Sequence, residues 1–178
     1  RGVFISPKEA MFWQLAQDTA LKRYLTRSWM GRCYSPRSQV PSQVLAYEAS
    51  YSRWSATLDL SDASDRVTLQ LVSFLFHRQD YMSLAGTRPC YVELPDGSSH
   101  RLSMFGPMGD GKTFPILTIV CILLSVSAIA IALAGRDAVP TAELVRRASC
   151  GVRVFGDDII VPSEHYECVT HALEAHNL

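Results

Sequence analysis

The sequence predicts an α+β fold in which helices pack against an antiparallel sheet, and three stretches indicate it. Residues 154–161, VFGDDIIV, form two short apolar runs with a glycine and two aspartates between them, as in a tight hairpin. Residues 55–60 alternate like a half-buried strand, and residues 117–135 are almost entirely apolar, as in a buried helix. With 178 residues and 48% hydrophobic content, the chain can form one domain with a real core.

Charge and cysteine content narrow the class of protein. The formal net charge is zero, but residues 1–37 carry seven basic and two acidic side chains, so a basic leading segment precedes an acidic body. The five cysteines are widely spaced and form no CxxC pair, a pattern typical of reduced thiols in a cytosol-like compartment. Because the chain begins without a methionine and ends within a helical pattern, we interpret it as a piece of a longer protein.

Three aspartates are the candidate metal ligands. Asp157 and Asp158 occupy the tip of the predicted hairpin, and Asp59 lies between two leucines at the end of the strand at 55–60. Carboxylates this close repel one another and are costly to bury, so the group calls for a divalent cation. The alternative for Asp157 and Asp158 is an exposed turn with solvated carboxylates. For Asp59 that alternative is weak, because helix capping does not need a carboxylate inside an apolar strand.

Hydrophobic periodicity and turn residues predict the other elements. The first helix should bury an apolar stripe of Phe12, Leu15, Leu21, Leu25 and Trp29. The predicted elements, in order, are a strand at 1–7, a helix at 8–30, a loop at 31–41, a helix at 44–54, a helix through Val67, Leu71 and Leu75, and a hairpin at 91–103 that turns at Pro95, Asp96 and Gly97.

Residues 106–113, GPMGDGKT, match the Walker A pattern of a P-loop in full. A P-loop requires a buried strand directly before it and an uninterrupted helix directly after it, whereas SSHRLSMF is a poor buried strand and Pro115 follows closely. A P-loop NTPase is therefore the alternative function, and we assign Lys112 no role. The glycine-rich loop itself suits phosphates or a sugar-phosphate chain at a helix N-terminus.

The apolar stretch at 117–135 raises a third possibility, a membrane-anchored protein without enzymatic activity. Serine, threonine and cysteine are scattered through the stretch, no aromatic belt flanks it, and motifs lie on both sides of it. We therefore expect a helix buried inside the domain and no contact with a membrane.

The motifs DLSDASD, PDGS, MGDGKTF and FGDDIIVP occur in an order that resembles the replicases of single-stranded RNA bacteriophages, the levivirus type of RNA-directed RNA polymerase. They resemble motifs A, B and C of that palm domain. At the start, RGVFISP with Phe12, Trp13 and Gln14 resembles the end of the basic fingers motif and the helix after it. The resemblance implies a polymerase palm with part of the fingers, in which residues 1–54 are a partial fingers segment and residues 55–178 are the palm.

The resemblance also implies a mechanism. In the family, the motif A aspartate and the two motif C aspartates bind two magnesium ions, and these positions correspond to Asp59, Asp157 and Asp158. The implied function is template-directed synthesis of RNA from an RNA template, for replication of a viral genome, by two-metal nucleotidyl transfer. Mg²⁺ is the expected ion and Mn²⁺ is an alternative.

Further positions are implied to contact RNA. Gly109 and Gly111 resemble the flexible motif B loop that follows the template backbone, and Thr113 opens the long helix beneath the nascent base pair. The expected partners are the RNA template, the nascent RNA and nucleoside triphosphates, together with host protein subunits as in the phage family.

Three more positions are implied to lie near the incoming nucleotide. Ser64 and Asp65 resemble motif A positions beside the ribose, and Arg1 resembles the last basic fingers residue that meets the triphosphate. The expected location of the protein is the cytoplasm of the bacterial host cell.

Overall fold

The strands form a three-stranded antiparallel sheet and a separate hairpin, in a computed structural model that describes residues 4–36, 38–135 and 138–178. The strands are β1 (Ser55–Asp59), β2 (Tyr91–Glu93), β3 (Ser99–Arg101), β4 (Arg153–Phe155) and β5 (Asp158–Pro162). The sheet has the order β1-β5-β4, and β2 pairs with β3. The central strand of the sheet is therefore the last strand of the chain, with a strand from about 100 residues earlier on one side of it.

Helices occupy most of the remaining described chain. They are α1 (Lys8–Arg27), α2 (Val40–Ser52), α3 (Ala63–Arg66), α4 (Leu69–Leu75), α5 (Arg78–Gly86), α6 (Thr113–Ala134), α7 (Ala142–Ala148) and α8 (Tyr166–Ala175), with short 3₁₀ helices at Trp29–Arg32 and Ser163–His165. The mixture of helices and antiparallel strands agrees with the predicted α+β class. The division into fingers at 1–54 and palm at 55–178 stays a prediction.

Helix α6 is the central element of the core. Fourteen of its 22 residues are buried, and α1, α7, α8 and β4 pack around it. In the described part of the chain it is the one helix long and apolar enough to cross a membrane, yet 67% of its most apolar 18-residue stretch is buried inside the protein. These contacts favour the core helix predicted at 117–135. The helix begins earlier than predicted, at Thr113. Pro115 does not interrupt it, because backbone N–H groups in the first turn of a helix have no partner within the helix.

The predicted apolar stripe is wrong at both ends. Phe12 is 68% exposed and Leu15 is 53% exposed, whereas Leu25 is fully buried. Trp29 is 40% exposed and lies beyond the end of α1 at Arg27. The inward position belongs instead to Gln14, which is fully buried and donates from Nε2 to the Thr87 carbonyl oxygen at 3.0 Å. A hydrogen-bonded amide can therefore replace an apolar residue on the inner face, and hydrophobic periodicity does not detect it.

Other predicted elements also differ from the structure. The helix predicted at 44–54 is α2 at Val40–Ser52, so it begins within the loop predicted at 31–41. Residues 4–7 form no strand, and residues 1–3 lie outside the described residues. The single helix predicted through Val67 is interrupted there, because the Val67 carbonyl oxygen accepts the Phe105 N–H at 2.7 Å and Thr68 forms a β-bridge with Met104. Thr68 then caps α4 by accepting the Leu71 N–H at 3.1 Å. The predicted hairpin at 91–103 is confirmed as β2 and β3.

The loop before α6 contains a buried ion pair. Lys112 is fully buried, and its Nζ donates to Asp110 Oδ2 at 2.8 Å and to Oδ1 at 3.1 Å. Burial lowers the pKa of Lys112, and the bond to Asp110 opposes that shift. A P-loop requires its lysine to reach the phosphates of a bound nucleotide. The buried ammonium group of Lys112 is not available for that contact. Lys112 therefore has a structural role that the sequence did not indicate.

The same loop also contacts the N-terminal segment. The Phe4 N–H donates to the Met108 carbonyl oxygen at 2.9 Å. Gly109 follows with φ +109°, and a Cβ there would collide with the Phe4 carbonyl oxygen. A Cβ at Gly111 would make only ordinary contacts, the nearest being Leu15 Cδ2 at 3.4 Å. Of these two glycines, Gly109 is the one that the backbone requires.

Replacing Asp110 by alanine should lower the free energy of unfolding by about 3–5 kcal/mol, because Lys112 would keep a buried charge without its partner. Denaturant unfolding measures this loss. The double variant Asp110→Ala/Lys112→Met should recover much of it, since no isolated charge remains. The exposed pair Arg146–Glu143 is the matched control, and Glu143→Ala should cost at most about 1 kcal/mol. Equal losses for Asp110→Ala and Glu143→Ala would contradict the structural role.

Gly109→Ala should destabilise the chain by about 1–3 kcal/mol, because alanine would be strained at this φ and would displace the Phe4 segment. Gly111→Ala is the control and should be close to neutral. Thermal unfolding of both variants under one set of conditions compares them. A Gly111 variant as unstable as the Gly109 variant would show that the contact with Phe4 does not fix the loop.

Candidate active site

The pairing of β1 with β5 brings two of the predicted metal ligands together. In the antiparallel register, Asp59 lies directly opposite Asp158, and Leu58 lies opposite Ile159. Side chains alternate across a sheet, so Leu58 and Ile159 face the core while both aspartates face outward and are exposed. The sequence predicted this orientation of Asp59 from its two leucine neighbours.

The third aspartate lies in the turn between β4 and β5. Gly156 and Asp157 form the turn, and Gly156 has φ +68°. The Gly156 N–H donates to Thr118 Oγ1 at 3.1 Å, and a Cβ at Gly156 would come within 2.8 Å of Phe114 Cε2. The turn is therefore fixed against α6, and only glycine fits there without a shift. Asp157 is half-buried beside this contact.

Thr118 is a site-forming residue that the sequence analysis missed. Its hydroxyl donates to the Phe114 carbonyl oxygen at 2.9 Å and accepts the Gly156 N–H, so it joins the middle of α6 to the turn. A hydroxyl within the apolar stretch of the sequence was the available signal, since a hydroxyl that becomes buried requires a partner.

The electrostatics of the site reflect crowded negative charge. The pKa of Asp158 is raised, first by burial, then by the charge of Asp157, and then by that of Asp59. Burial raises the pKa of the Cys121 thiol to about 12, with a further contribution from Asp157. The negative charge of Asp157 therefore raises the pKa of a residue on β5, Asp158, and of a residue on α6, Cys121. The charges of Asp157 and Asp59 thus make Asp158 harder to ionise.

Positive charge does not balance this group within the described residues. No lysine, arginine or histidine there forms an ion pair with Asp59, Asp157 or Asp158. Across those same residues, no three side chains of the metal-binding types are arranged so that they could hold a metal ion together. The donor chemistry nevertheless fits a hard divalent cation, which prefers carboxylate oxygens. Carboxylates from two strands and one turn would have to supply the ligands of such an ion.

A cavity of about 350 Å³ adjoins the exposed aspartates. Its lining comes from the N-terminal half of α2, from β1, and from the hairpin of β4 and β5. Phe155 forms part of this lining, and its ring lies 4.9 Å from the Phe114 ring and 6.0 Å from the Tyr34 ring, centre to centre. The sequence predicted a helix before β1 but not its position over the sheet.

The other predicted site residues lie on α3, on α6 and in the loop before α6. Ser64 and Asp65 lie on α3, directly after β1, and the Ser64 hydroxyl is 3.3 Å from Asp65 Oδ1. Thr113 is the first residue of α6, and its hydroxyl donates to the Pro107 carbonyl oxygen at 3.2 Å. Gly109 and Gly111 lie in the preceding loop. The roles of these residues toward nucleotide and RNA stay predictions, and Arg1 lies outside the described residues.

Comparison with known proteins identifies relatives along the whole chain. The sequence profile of the family described as "RNA replicase, beta-chain" matches residues 1–178. The chain is 32% identical over 164 residues to the RNA-directed RNA polymerase subunit beta of Qbeta virus strain MX1, covering 92% of this chain and 25% of that protein.

Two further phage proteins show the same likeness. The RNA-directed RNA polymerase subunit beta of Enterobacteria phage SP is 32% identical over 90% of the chain and 25% of that protein. The RNA-directed RNA polymerase beta chain of Escherichia phage MS2 is 31% identical over 74% of the chain and 22% of that protein. The chain spans about a quarter of the length of these relatives. It belongs to the RNA replicase beta-chain family.

Proposed function

We propose that this chain carries the catalytic centre of an RNA-directed RNA polymerase, which joins ribonucleotides on an RNA template by nucleotidyl transfer. The observation that carries the proposal is the register that sets Asp59 opposite Asp158, one residue from Asp157. In the replicase family, these positions correspond to the motif A and motif C aspartates. Family membership and the convergence of these motifs in space support the same conclusion.

Asp59, Asp157 and Asp158 are the residues that would hold two divalent cations, Mg²⁺ or Mn²⁺. When bound, such ions would lower the pKa of the attacking 3′-hydroxyl and neutralise charge on the triphosphate. The pairing of β1 with β5 sets Asp59 and Asp158 opposite each other before any ion binds. Asp158 is fixed by the β ladder, and Asp157 is positioned by the turn that Thr118 holds. The raised pKa of Asp158 is consistent with a group that lacks a counter-charge.

The remaining contacts with substrate follow from the family motifs. We propose that Gly109, Gly111 and Thr113 lie along the template strand, and that Ser64 and Asp65 lie near the incoming ribose. The substrates are then nucleoside triphosphates and an RNA template, and the product is the nascent RNA.

The setting of the protein is proposed from its relatives. Two of these relatives are named as subunits, so we propose that further subunits join the working enzyme, with host proteins as the expected source. The proposed setting is the cytoplasm of an infected bacterial cell.

The two alternative functions have less support. A P-loop would need Lys112 at a phosphate, but its Nζ is buried against Asp110. The strand before that loop, β3, ends at Arg101 and has three exposed residues, so it is not a buried P-loop strand. A membrane span at 117–135 would separate α6 from the helices that pack around it.

Alanine at Asp59 or at Asp157 should reduce nucleotide addition to background in a polymerase that contains this sequence, because each removes a ligand from one shared ion site. The double variant should show little further loss, since residues that act as a unit are not additive. Primer extension with Mg²⁺ measures the effect. The matched control is Asp96→Ala, which changes an aspartate in the turn of the other hairpin. Near-normal synthesis by Asp59→Ala would refute the assignment.

Asp59→Asn should raise the melting temperature near neutral pH in metal-free buffer, because it removes one cause of the raised pKa of Asp158. A carboxyl group whose pKa is higher in the folded state than in the unfolded state contributes to the free energy of unfolding while it is protonated. This contribution is lost as the pH rises through the pKa of the folded state. The advantage of the Asp59→Asn variant should therefore vanish below the ordinary aspartate pKa. Added Mg²⁺ should stabilise the wild type more than the variant.

The control for this melting experiment is Asp96→Asn. Hydrogen bonds from Ser98 lower the pKa of Asp96, so its charged form is favoured in the folded state and its replacement should not raise the melting temperature. A wild type more stable than Asp59→Asn at neutral pH without metal would show that the carboxylates do not repel as proposed.

A further inference from the structure

Phe114, the second residue of α6, lies against the turn that carries Asp157. Its ring atom Cε2 is 2.8 Å from the place that a Cβ at Gly156 would occupy, so the ring packs directly on the glycine backbone. The Phe114 carbonyl oxygen also accepts the hydroxyl of Thr118, and the oxygen of that hydroxyl accepts the Gly156 N–H at 3.1 Å. Phe114 therefore contacts the turn by packing and, through Thr118, is linked to it by hydrogen bonds.

The same ring also contacts the residue before the turn. The rings of Phe114 and Phe155 lie 4.9 Å apart, centre to centre, with an angle of 65° between their planes, which is an edge-to-face arrangement. Phe155 lies opposite Asp158 in the pairing of β4 with β5, so it is at the base of the turn. The ring of Tyr34, which is buried, stacks on Phe155 at 6.0 Å. Packing between rings thus connects α6 to the strand end beside the carboxylates.

Helix α1 supplies a further neighbour of the Phe114 ring. Lys22 Nζ lies 5.9 Å from the centre of the ring, within the distance of a cation–π contact, and it donates to Asp18 Oδ2 at 3.0 Å. Asp157 itself forms no ion pair within the described residues. The place of its carboxylate therefore depends on the backbone of the turn, and the Phe114 ring is a main contact of that backbone.

An aromatic ring suits this contact better than an aliphatic side chain of similar size. The ring is flat and rigid, so its position follows from two side-chain torsions, whereas methionine has three rotatable bonds and adapts to several shapes. A turn that rests on a flexible side chain could shift by a fraction of an ångström. Displacements of about 1 Å can cost about 100-fold in rate when they move a catalytic group.

We propose that Phe114 is a positioning residue of the polymerase. Its ring fixes the turn at Gly156 and thereby sets the place of the Asp157 carboxylate relative to Asp158 and Asp59. Phe114 acts through the turn and not by contact with the substrate. This inference rests on the proposed polymerase function, because the position of Asp157 affects synthesis only if these carboxylates hold the catalytic ions.

The first test removes the ring and keeps an apolar side chain. Phe114→Met in a polymerase that contains this sequence should lower kcat for single-nucleotide addition by about 10- to 100-fold, because Asp157 is displaced. The KM for the nucleoside triphosphate should change by less than about threefold, since the contacts that bind the substrate are retained. The Mg²⁺ concentration that gives half of the maximal rate should rise by about fivefold or more. Phe114→Tyr keeps the ring and should behave as the wild type.

The matched control is Phe76→Met. Phe76 is also a half-buried phenylalanine that packs against the hydrophobic core, but it lies at the end of α4 and not at the turn. This variant should leave kcat and the Mg²⁺ requirement unchanged. Melting temperatures of all the variants verify that the fold is retained. If Phe114→Met does not fold, Phe114→Leu takes its place under the same criteria.

The second test requires neither metal nor activity. Amide hydrogen exchange reports how often the bond from the Gly156 N–H to Thr118 Oγ1 opens. In metal-free buffer, Phe114→Met should accelerate exchange in a peptide that spans residues 154–161 by about 10-fold, because the turn loses its packing partner. Phe114→Tyr and Phe76→Met should exchange at the wild-type rate there.

The outcomes separate this inference from the polymerase function. If Asp59→Ala is inactive while Phe114→Met keeps the kcat and the Mg²⁺ requirement of the wild type, the positioning role is overturned and the polymerase proposal stands. Slow synthesis by Phe114→Met with unchanged exchange at 154–161 would also overturn it, because the ring would not hold the turn. Equal effects of Phe76→Met would attribute the loss to a general loosening of the core, with the same consequence. If Asp59→Ala keeps normal synthesis, the catalytic assignment fails, and the positioning role in synthesis fails with it.

Discussion

The candidate site depends on the antiparallel register between β1 and β5. A slip of one residue would turn Asp59 toward the core and move Leu58 outward, because side chains alternate along a strand. Leu58 packs against the core opposite Ile159, which is 0% exposed, so such a slip is costly: Leu58 would lose its apolar contacts and Asp59 would enter an apolar environment. The hydrophobic effect therefore sets the positions of the carboxylates, although the carboxylates themselves contribute no packing.

Helix α6 links this register to the rest of the molecule. Its Thr118 hydroxyl holds the turn that carries Asp157, and its first residues continue from the loop that Asp110 and Lys112 fix. Most of the helix is buried, so it can move little without opening the core. A single rigid helix thus connects the glycine-rich loop with the acidic turn. The burial of α6 in the core explains the apolar stretch at 117–135 better than a membrane span does.

The sequence was sufficient for those parts of the site that depend on local pattern. Alternation around Asp59 and the glycine before Asp157 predicted an outward aspartate and an acidic turn, because strand period and turn chemistry are local properties. The burial of Gln14 and of Lys112 was not predictable in this way, since each depends on a partner found only after folding. The position of α2 over the sheet is likewise a tertiary property, and a polar helix face in the sequence does not specify what it will face.

The charge distribution of the site is more easily explained by function than by stability. The charges of Asp157 and Asp59 contribute to the raised pKa of Asp158, and none of these carboxylates has an ion-pair partner among the described residues, whereas Asp110 is paired with Lys112. Neighbouring carboxylates without a partner are expected where binding supplies the missing interaction.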